Sequence, residues 1–227
     1  ERLLKKSRKS NPKKQPLVIT ESLFSMEGTT APIKEISKLC IKYDSKLLID
    51  EAHAFGVMGP EGRGESFGLK KPISIISGTF GKAFGSGGAF LATDKITGKN
   101  LIQNCGAFRY TTALAPPLCA SALAALNLIE SNPNWGSELK EKSKALRDRL
   151  SQVGWQRPAG EGPIISIILG SDRLAMDYQE RLEAQGLLTV AIRPPTVPEG
   201  KSRLRLVIRR NTPDQAFERL IEILKNK

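Results

Sequence analysis

Cysteine and histidine are scarce in this sequence, and their scarcity excludes most structural metal sites. The 227 residues include three cysteines and one histidine. Because Cys40, Cys105 and Cys119 have no C-x-x-C spacing, they cannot build a usual structural zinc site, and we expect no bound metal. An odd number of scattered cysteines also favours a reducing compartment, so we expect a cytoplasmic protein.

Long apolar runs are also missing, and no segment approaches the roughly 20 residues that a membrane-spanning helix needs. Hydrophobic residues make up 40% and charged residues 26% of the sequence, and its 20 glycines and 14 prolines are spread along the chain. This composition is typical of a globular protein and excludes collagenous, coiled-coil and disordered chains. We expect no membrane contact and either one large domain or two small ones.

Acidic residues are outnumbered, since 35 lysines and arginines face 23 aspartates and glutamates and give a net charge of +12. Positions 1–14 hold seven basic residues and one acidic residue, so half of the excess belongs to this first segment. We interpret the segment as the solvated face of a terminal helix. A specific polyanion site is the alternative, but we expect no nucleic-acid partner.

The beginning of the sequence has no initiator methionine and no signal-peptide pattern. Its first residues are typical of the last turns of an amphipathic helix that Asn11 and Pro12 interrupt. We therefore expect the sequence to be a piece of a longer protein.

The next segments alternate between strand and helix patterns. Residues 17–20 and 47–49 are short apolar runs of strand length, and residues 32–43 carry apolar side chains at the spacing of one helical face. Together they predict a βαβ unit and therefore a parallel sheet, whose ligands lie at the carboxyl ends of its strands. Asp50 directly follows the second strand, at such an end.

The remainder of the sequence predicts a different arrangement after a break at residues 132–136. Before the break we expect strands at 73–76 and 88–92 around a glycine-rich turn, and a helix at 117–129. After it we expect, in order, a helix at 137–153, a strand at 164–169, a helix at 173–185, strands at 187–192 and 203–208, and a helix at 213–224. We predict two domains, residues 1–134 and residues 135–227, of which the second is a small α+β unit.

The first candidate motif is Asp50-Glu51-Ala52-His53, which spells the D-E-A-H box of a helicase. A helicase also needs a phosphate-binding loop G-x-x-x-x-G-K-[ST], but the only matching Gly-Lys pair near a strand, Gly81-Lys82, is followed by Ala83. The phosphate-binding loop is thus not matched in this sequence, and a helicase-like nucleic-acid motor is kept only as an alternative of a different class.

The second candidate is a set of five residues near predicted strand ends, namely Ser25, Asp50, His53, Thr79 and Lys82. The lysine lies in an apolar, glycine-rich loop, where burial of its ammonium group is costly unless the group is neutralised or used, as in a Schiff base. A strand-end carboxylate suits a pyridine nitrogen, a histidine suits a phenolic oxygen, and hydroxyls with glycines suit a phosphate. These are the needs of pyridoxal 5′-phosphate. Taken singly, the same residues could be a surface lysine, a helix cap, a core histidine and turn formers.

Four segments of the sequence resemble the α-oxoamine synthases, a family of fold-type I pyridoxal-phosphate enzymes. They are T-E-S-L-F-S-M-E-G (20–28), D-E-A-H-A-F-G-V-M-G-P-E-G-R-G (50–64), G-T-F-G-K-A-F-G-S-G-G-A (78–89) and T-T-A-L-A-P-P (111–117). The resemblance implies an α/β fold with a mostly parallel sheet flanked by helices, a large domain that is incomplete here, and a small C-terminal α+β domain.

The resemblance also implies roles for individual residues. Lys82 would be the Schiff-base lysine and the base for the α proton, Asp50 would pair with the pyridinium, and His53 would contact the phenolic oxygen. Further contacts of the cofactor would come from Ser25 and Thr79. The amino-acid substrate would be bound by Arg193 and Thr196. Either Thr111 or Thr112 would reach the cofactor phosphate of the partner subunit, so we expect a homodimer with its active site at the interface.

The segment A-I-R-P-P-T-V-P-E-G-K-S-R-L-R-L (191–206) resembles the members that condense L-alanine with a pimeloyl thioester, of coenzyme A or an acyl carrier protein, in biotin synthesis. A glycine-using synthase and a non-catalytic fragment are alternatives. Thr29 and Ala115 depart from the usual pattern without touching the proposed chemistry. The family's N-terminal portion, with a phosphate loop and a histidine that stacks on the cofactor, has no counterpart here, so we expect this chain to hold half a site.

Overall fold

Four apolar segments in the first half of the chain form one sheet. The computed structural model describes residues 1–69 and 73–225. The strands are β1 (Leu17–Glu21), β2 (Lys46–Asp50), β3 (Ile73–Thr79) and β4 (Ala89–Thr93). They lie in the order β1-β2-β3-β4, with the first three parallel and β4 antiparallel to β3. The predicted mostly parallel sheet is confirmed.

The helix between β1 and β2 explains why these two strands are parallel. Helices α1 (Arg2–Ser10) and α2 (Ile33–Lys42) come first along the chain, and α2 buries Ile33, Ser37 and Cys40 at the spacing of one helical face. Alternate residues of β2, Leu47 and Ile49, are fully buried. A helix with one apolar face returns the chain to the start of a neighbouring strand, as the βαβ pattern predicts.

Two further helices, α3 (Lys95–Asn104) and α4 (Gly106–Arg109), were not predicted, whereas α5 (Pro116–Glu130) was. Neither α3 nor α4 contains a buried residue, so the sequence lacks the periodic apolar signal there. The available signal was Asp94, whose Oδ1 accepts hydrogen bonds from the amides of Ile96 at 2.9 Å and Thr97 at 3.0 Å. Helix α1 also has no buried residue, which agrees with a solvated basic face.

The later part of the chain forms a second, antiparallel sheet. Its strands are β5 (Ile164–Gly170), β6 (Val190–Ile192) and β7 (Ser202–Val207), in the order β5-β7-β6. Its helices are α6 (Trp135–Gln152), α7 (Asp172–Glu183) and α8 (Asp214–Lys225). Strand β6 begins at Val190, three residues later than predicted, and residues 187–189 lie outside the sheet. The fully buried side chains include Leu150, Ile165, Leu182, Leu204 and Leu224.

The described chain divides into two compact units, of which one comprises residues 1–23 and 31–136 and the other residues 24–30 and the chain from 137 onward. Segment 24–30 belongs to the second unit because Ser166 donates a hydrogen bond to the Met26 carbonyl and Arg203 pairs with Glu27 at 3.0 Å. The assignment of these units to a cofactor-binding domain and a small C-terminal domain stays a prediction. Among the described residues, none of the helices combines the length and apolarity needed to cross a bilayer.

Arg147, on α6, is a fully buried cation in the second unit. Its Nη2 donates hydrogen bonds to the carbonyls of Gly162 at 2.9 Å and Ile164 at 2.8 Å, and its Nε donates to Ala159 at 3.3 Å. Burial lowers the pKa of Arg147 to about 10. This side chain therefore ties α6 to the segment that leads into β5.

Replacement of Arg147 should destabilise the protein. In Arg147→Ala, three carbonyls lose their donor and a cavity forms, so we expect the free energy of unfolding to fall by about 3 kcal/mol. Urea unfolding followed by circular dichroism measures this change. The control Lys144→Ala, at an exposed position of the same helix, should change it by less than about 0.5 kcal/mol. Equal stability of the two variants would contradict the role of Arg147.

Candidate active site

The carboxyl edge of the parallel strands gathers the first candidate residues. Glu21, Asp50 and Ser77 are paired in register across β1, β2 and β3. The Asp50 carboxylate is half-buried, and its Oδ1 accepts a hydrogen bond from the Ala52 amide at 2.9 Å. This turn, in which an aspartate accepts from the amide two residues on, fixes the direction of the carboxylate.

His53 lies in the turn that follows Asp50. The carbonyl of Glu51 accepts hydrogen bonds from the amides of Ala54 at 2.8 Å and Phe55 at 2.9 Å, which closes a helical turn around the histidine. The histidine side chain is half-buried. Asp50 and His53 are thus held on one short segment at the end of β2.

Thr79, at the end of β3, lies beside Asp50. Both residues line an open cavity of about 270 Å³ together with Ser77, Phe90 and Phe108. The Thr79 hydroxyl donates to the Gly88 carbonyl at 3.0 Å and accepts from the Gly81 amide at 3.1 Å. Neither His53 nor Lys82 belongs to the lining of this cavity.

Lys82 is the expected attachment lysine, a role that stays a prediction, and in this chain it is exposed. The reason is the shape of loop 80–88, whose ends meet where the Phe80 amide donates to the Gly88 carbonyl at 2.9 Å. Two phenylalanines of the loop pack together, since the ring centroid of Phe80 lies 5.5 Å from that of Phe84, and it lies 5.3 Å from that of Phe90 on β4. The aromatic cluster anchors the loop, and the lysine projects from it with an accessible amine.

Thr111 and Thr112 are exposed in the segment between α4 and α5. They belong to the same unit as Asp50, His53 and Lys82. Their predicted contact with a cofactor phosphate in a partner subunit stays a prediction.

Ser25, Arg193 and Thr196 belong to the second unit. The Ser25 carbonyl accepts a hydrogen bond from Arg205 Nε at 2.7 Å, and burial lowers the pKa of this arginine. Arg193 and Thr196 are exposed on the turn after β6, which is closed by the Thr196 amide donating to the Arg193 carbonyl at 3.1 Å. Among the described residues, no carboxylate lies within ion-pair distance of Arg193.

The sequence did not predict that Glu51 is fully buried. Its carboxylate accepts hydrogen bonds from the Ser22 hydroxyl at 2.5 Å and from the amides of Ser66 at 2.7 Å and Glu65 at 3.2 Å. The available signal was a second acidic residue directly after Asp50 in the sequence. In the described part of the chain, no group of three or more His, Cys, Asp and Glu side chains is arranged to hold a metal ion.

Comparison with curated proteins finds relatives along nearly the whole chain. It is 38% identical over 226 residues to the 8-amino-7-oxononanoate synthase of Methylobacillus flagellatus, covering 99% of this chain and 56% of the relative. It is 40% identical over 199 residues to the 8-amino-7-oxononanoate synthase of Nitrosospira multiformis, covering 87% of this chain and 50% of the relative. The chain spans about half the length of the curated relatives it matches.

Solved structures with the same fold include serine palmitoyltransferase from Sphingomonas wittichii, with a TM-score of 0.90 and 27% identity over 99% of this chain and 57% of that chain. Another, a structure of SPT with PLP, has a TM-score of 0.89 at 27% identity and covers 98% of this chain and 57% of that chain. The 8-amino-7-oxononanoate synthase of Francisella tularensis has a TM-score of 0.81 at 26% identity, covering 97% of this chain and 65% of that chain.

These relatives confirm the resemblance to α-oxoamine synthases and the fold-type I architecture, and they give the helicase alternative no support. Residues 1–224 also match the family model described as aminotransferase class I and II. Because the match extends over almost the entire sequence, the chain belongs to the aminotransferase class I and II family.

Proposed function

We propose that this chain is part of a pyridoxal-phosphate enzyme that condenses L-alanine with a pimeloyl thioester, releasing carbon dioxide and the thiol carrier. The observation that carries the proposal is the oriented Asp50 carboxylate beside Thr79 in one cavity, followed along the chain by an accessible lysine. The relatives named 8-amino-7-oxononanoate synthase support this choice of substrates. The thioester is carried by coenzyme A or by an acyl carrier protein.

The side chains at the carboxyl edge suit the chemical groups of pyridoxal phosphate. When bound, this cofactor would supply an aldehyde carbon that can be joined to an amine and a ring that can accept electrons from the substrate's α-carbon. Asp50 would hold the pyridine nitrogen in its protonated form, because a nearby carboxylate favours the charged state. His53 would contact the phenolic oxygen, and the hydroxyls of Ser25 and Thr79 would make further contacts.

The chain's own groups then handle the substrate and its proton. The exposed Lys82 would supply the amine that holds the cofactor, and the same amine would take the proton from the α-carbon of alanine. The guanidinium of Arg193, which lacks an ion-pair partner among the described residues, holds the alanine carboxylate with help from Thr196. These residues position the amino acid while the α-carbon is activated.

The proposal extends to assembly. Thr111 or Thr112 contacts the cofactor phosphate of a partner subunit, so the enzyme is a homodimer with its active site at the interface. Residues 1–134 form the end of the cofactor-binding domain and residues 135–227 the small C-terminal domain. The enzyme acts in the cytoplasm, without a nucleic-acid or membrane partner.

A second candidate is an α-oxoamine synthase that uses serine or glycine in place of alanine. The similarity to serine palmitoyltransferase, with a TM-score of 0.90, favours it. Release of the thiol from pimeloyl-coenzyme A, measured with each amino acid in turn, separates the two. The highest kcat/KM with L-alanine supports the first candidate, and the highest value with serine or glycine supports the second.

Replacement of the proposed attachment lysine should abolish the reaction. We expect Lys82→Ala to lose both borohydride-trapped cofactor and turnover, because the amine that attaches the cofactor is gone. Mass spectrometry of peptides after borohydride reduction locates the attachment. The control Lys99→Ala, at an exposed position of α3, should keep both. Attachment at another lysine in the unmodified enzyme would refute the assignment.

Neutralisation of Asp50 should separate cofactor binding from catalysis. The amide oxygen of Asp50→Asn can still accept from the Ala52 amide, so the turn and cofactor binding should persist. The neutral amide does not keep the pyridine nitrogen protonated, so exchange of the alanine α proton should slow by about 10²–10³-fold. Deuterium exchange from heavy water, followed by NMR, measures this rate. A rate close to that of the unmodified enzyme would remove Asp50 from this role.

A further inference from the structure

Glu51 is a buried acid that the proposed reaction does not use. Its side chain is fully buried, and the three groups that donate to it, the Ser22 hydroxyl and the amides of Glu65 and Ser66, come from segments 29 residues before it and 14 and 15 residues after it. No Lys or Arg forms an ion pair with it in the described part of the chain. Within residues 1–69 and 73–225, hydrogen-bond donors hold this carboxylate.

The contacts of Glu51 require a carboxylate, in which both oxygens accept. One oxygen accepts from Ser66, and the other accepts from Ser22 and Glu65. A glutamine would turn an NH2 group toward at least one backbone amide, and a donor cannot accept from another donor. Gly64 leaves the necessary space, since a Cβ there would lie 2.9 Å from the carboxyl carbon of Glu51.

The backbone of Glu51 connects this cluster to the candidate site. Its amide donates to the Ser77 carbonyl of β3 at 2.8 Å, and its carbonyl closes the turn that contains His53. Asp50 precedes it directly, and the Asp50 carbonyl accepts from the Ser22 amide at 2.9 Å. Any shift of Glu51 therefore moves Asp50 and His53 together.

We propose that Glu51 is a positioning residue that holds Asp50 and the 52–58 turn in their catalytic geometry by accepting hydrogen bonds from Ser22, Glu65 and Ser66. This proposal rests on the proposed function as far as the reaction is concerned. The geometric part, which is that the carboxylate fixes the turn, stands on the contacts alone.

The geometric part is tested by amide hydrogen exchange without cofactor. In Glu51→Gln, amides of residues 52–58 and 65–66 should exchange at least about 10-fold faster than in the unmodified protein, because the segment opens locally. Amides of Leu47–Ile49 in the sheet should keep their rates, which shows that the protein is folded. Unchanged exchange in 52–58 would overturn the proposal, and so would equal acceleration throughout the sheet.

The catalytic part is tested by a double-mutant cycle on the exchange of the alanine α proton. Glu51→Gln alone should slow exchange by at least about 10-fold with the KM for alanine changed less than about 2-fold. In the Asp50→Asn background it should slow exchange less than about 2-fold further, because it acts through Asp50. Independent, multiplying effects would overturn the catalytic part.

The control for both measurements is Glu35→Gln, at an exposed position of α2 that takes no part in these contacts. It should leave amide exchange and α-proton exchange unchanged. If the unmodified enzyme fails to exchange the α proton of alanine, the proposed function fails, whereas hydrogen exchange of residues 52–58 still decides the role of Glu51.

Discussion

The parallel register of β1, β2 and β3 is the constraint on which the candidate site depends. It brings Glu21, Asp50 and Ser77 to one edge. Beyond the last paired residues, the Ser22 amide donates to the Asp50 carbonyl at 2.9 Å and the Glu51 amide to the Ser77 carbonyl at 2.8 Å. The strands therefore continue to hold one another past their ends, and the loops that carry His53 and Lys82 start from fixed points.

The loop after β2 shows why glycine is needed at this edge. A Cβ on Gly59 would lie 2.0 Å from the Gly64 carbonyl oxygen, and both glycines have a positive φ, at +73° and +88°. The loop thus folds tightly onto itself and onto Glu51. Tight packing of backbone against a buried carboxylate makes a rigid support for a half-buried Asp50, which a solvent-exposed loop would not provide.

The sequence predicted most elements that carry an apolar run of strand length or a periodic helical pattern. The βαβ unit and most later helices and strands were found from periodicity, whereas α3 and α4, which bury nothing, were missed. The sequence left open whether Lys82 is buried or lies at the surface, and the structure exposes it on a loop whose phenylalanines pack against one another. Segment 24–30 and Glu51 depend on contacts with residues distant in sequence, which local patterns do not carry. The roles of individual residues came from the family resemblance, and they stay predictions.

The central claim is that the Asp50 carboxylate keeps the pyridine nitrogen of bound pyridoxal phosphate protonated. Its most direct test is the NMR chemical shift of ¹⁵N-labelled cofactor bound to the unmodified enzyme, followed from about pH 6 to about pH 9. We expect the ring nitrogen to keep the shift of a protonated pyridinium throughout this range, because an oriented carboxylate stabilises the charged form. A nitrogen that loses its proton within the range, as in a site without a carboxylate partner, would contradict the account.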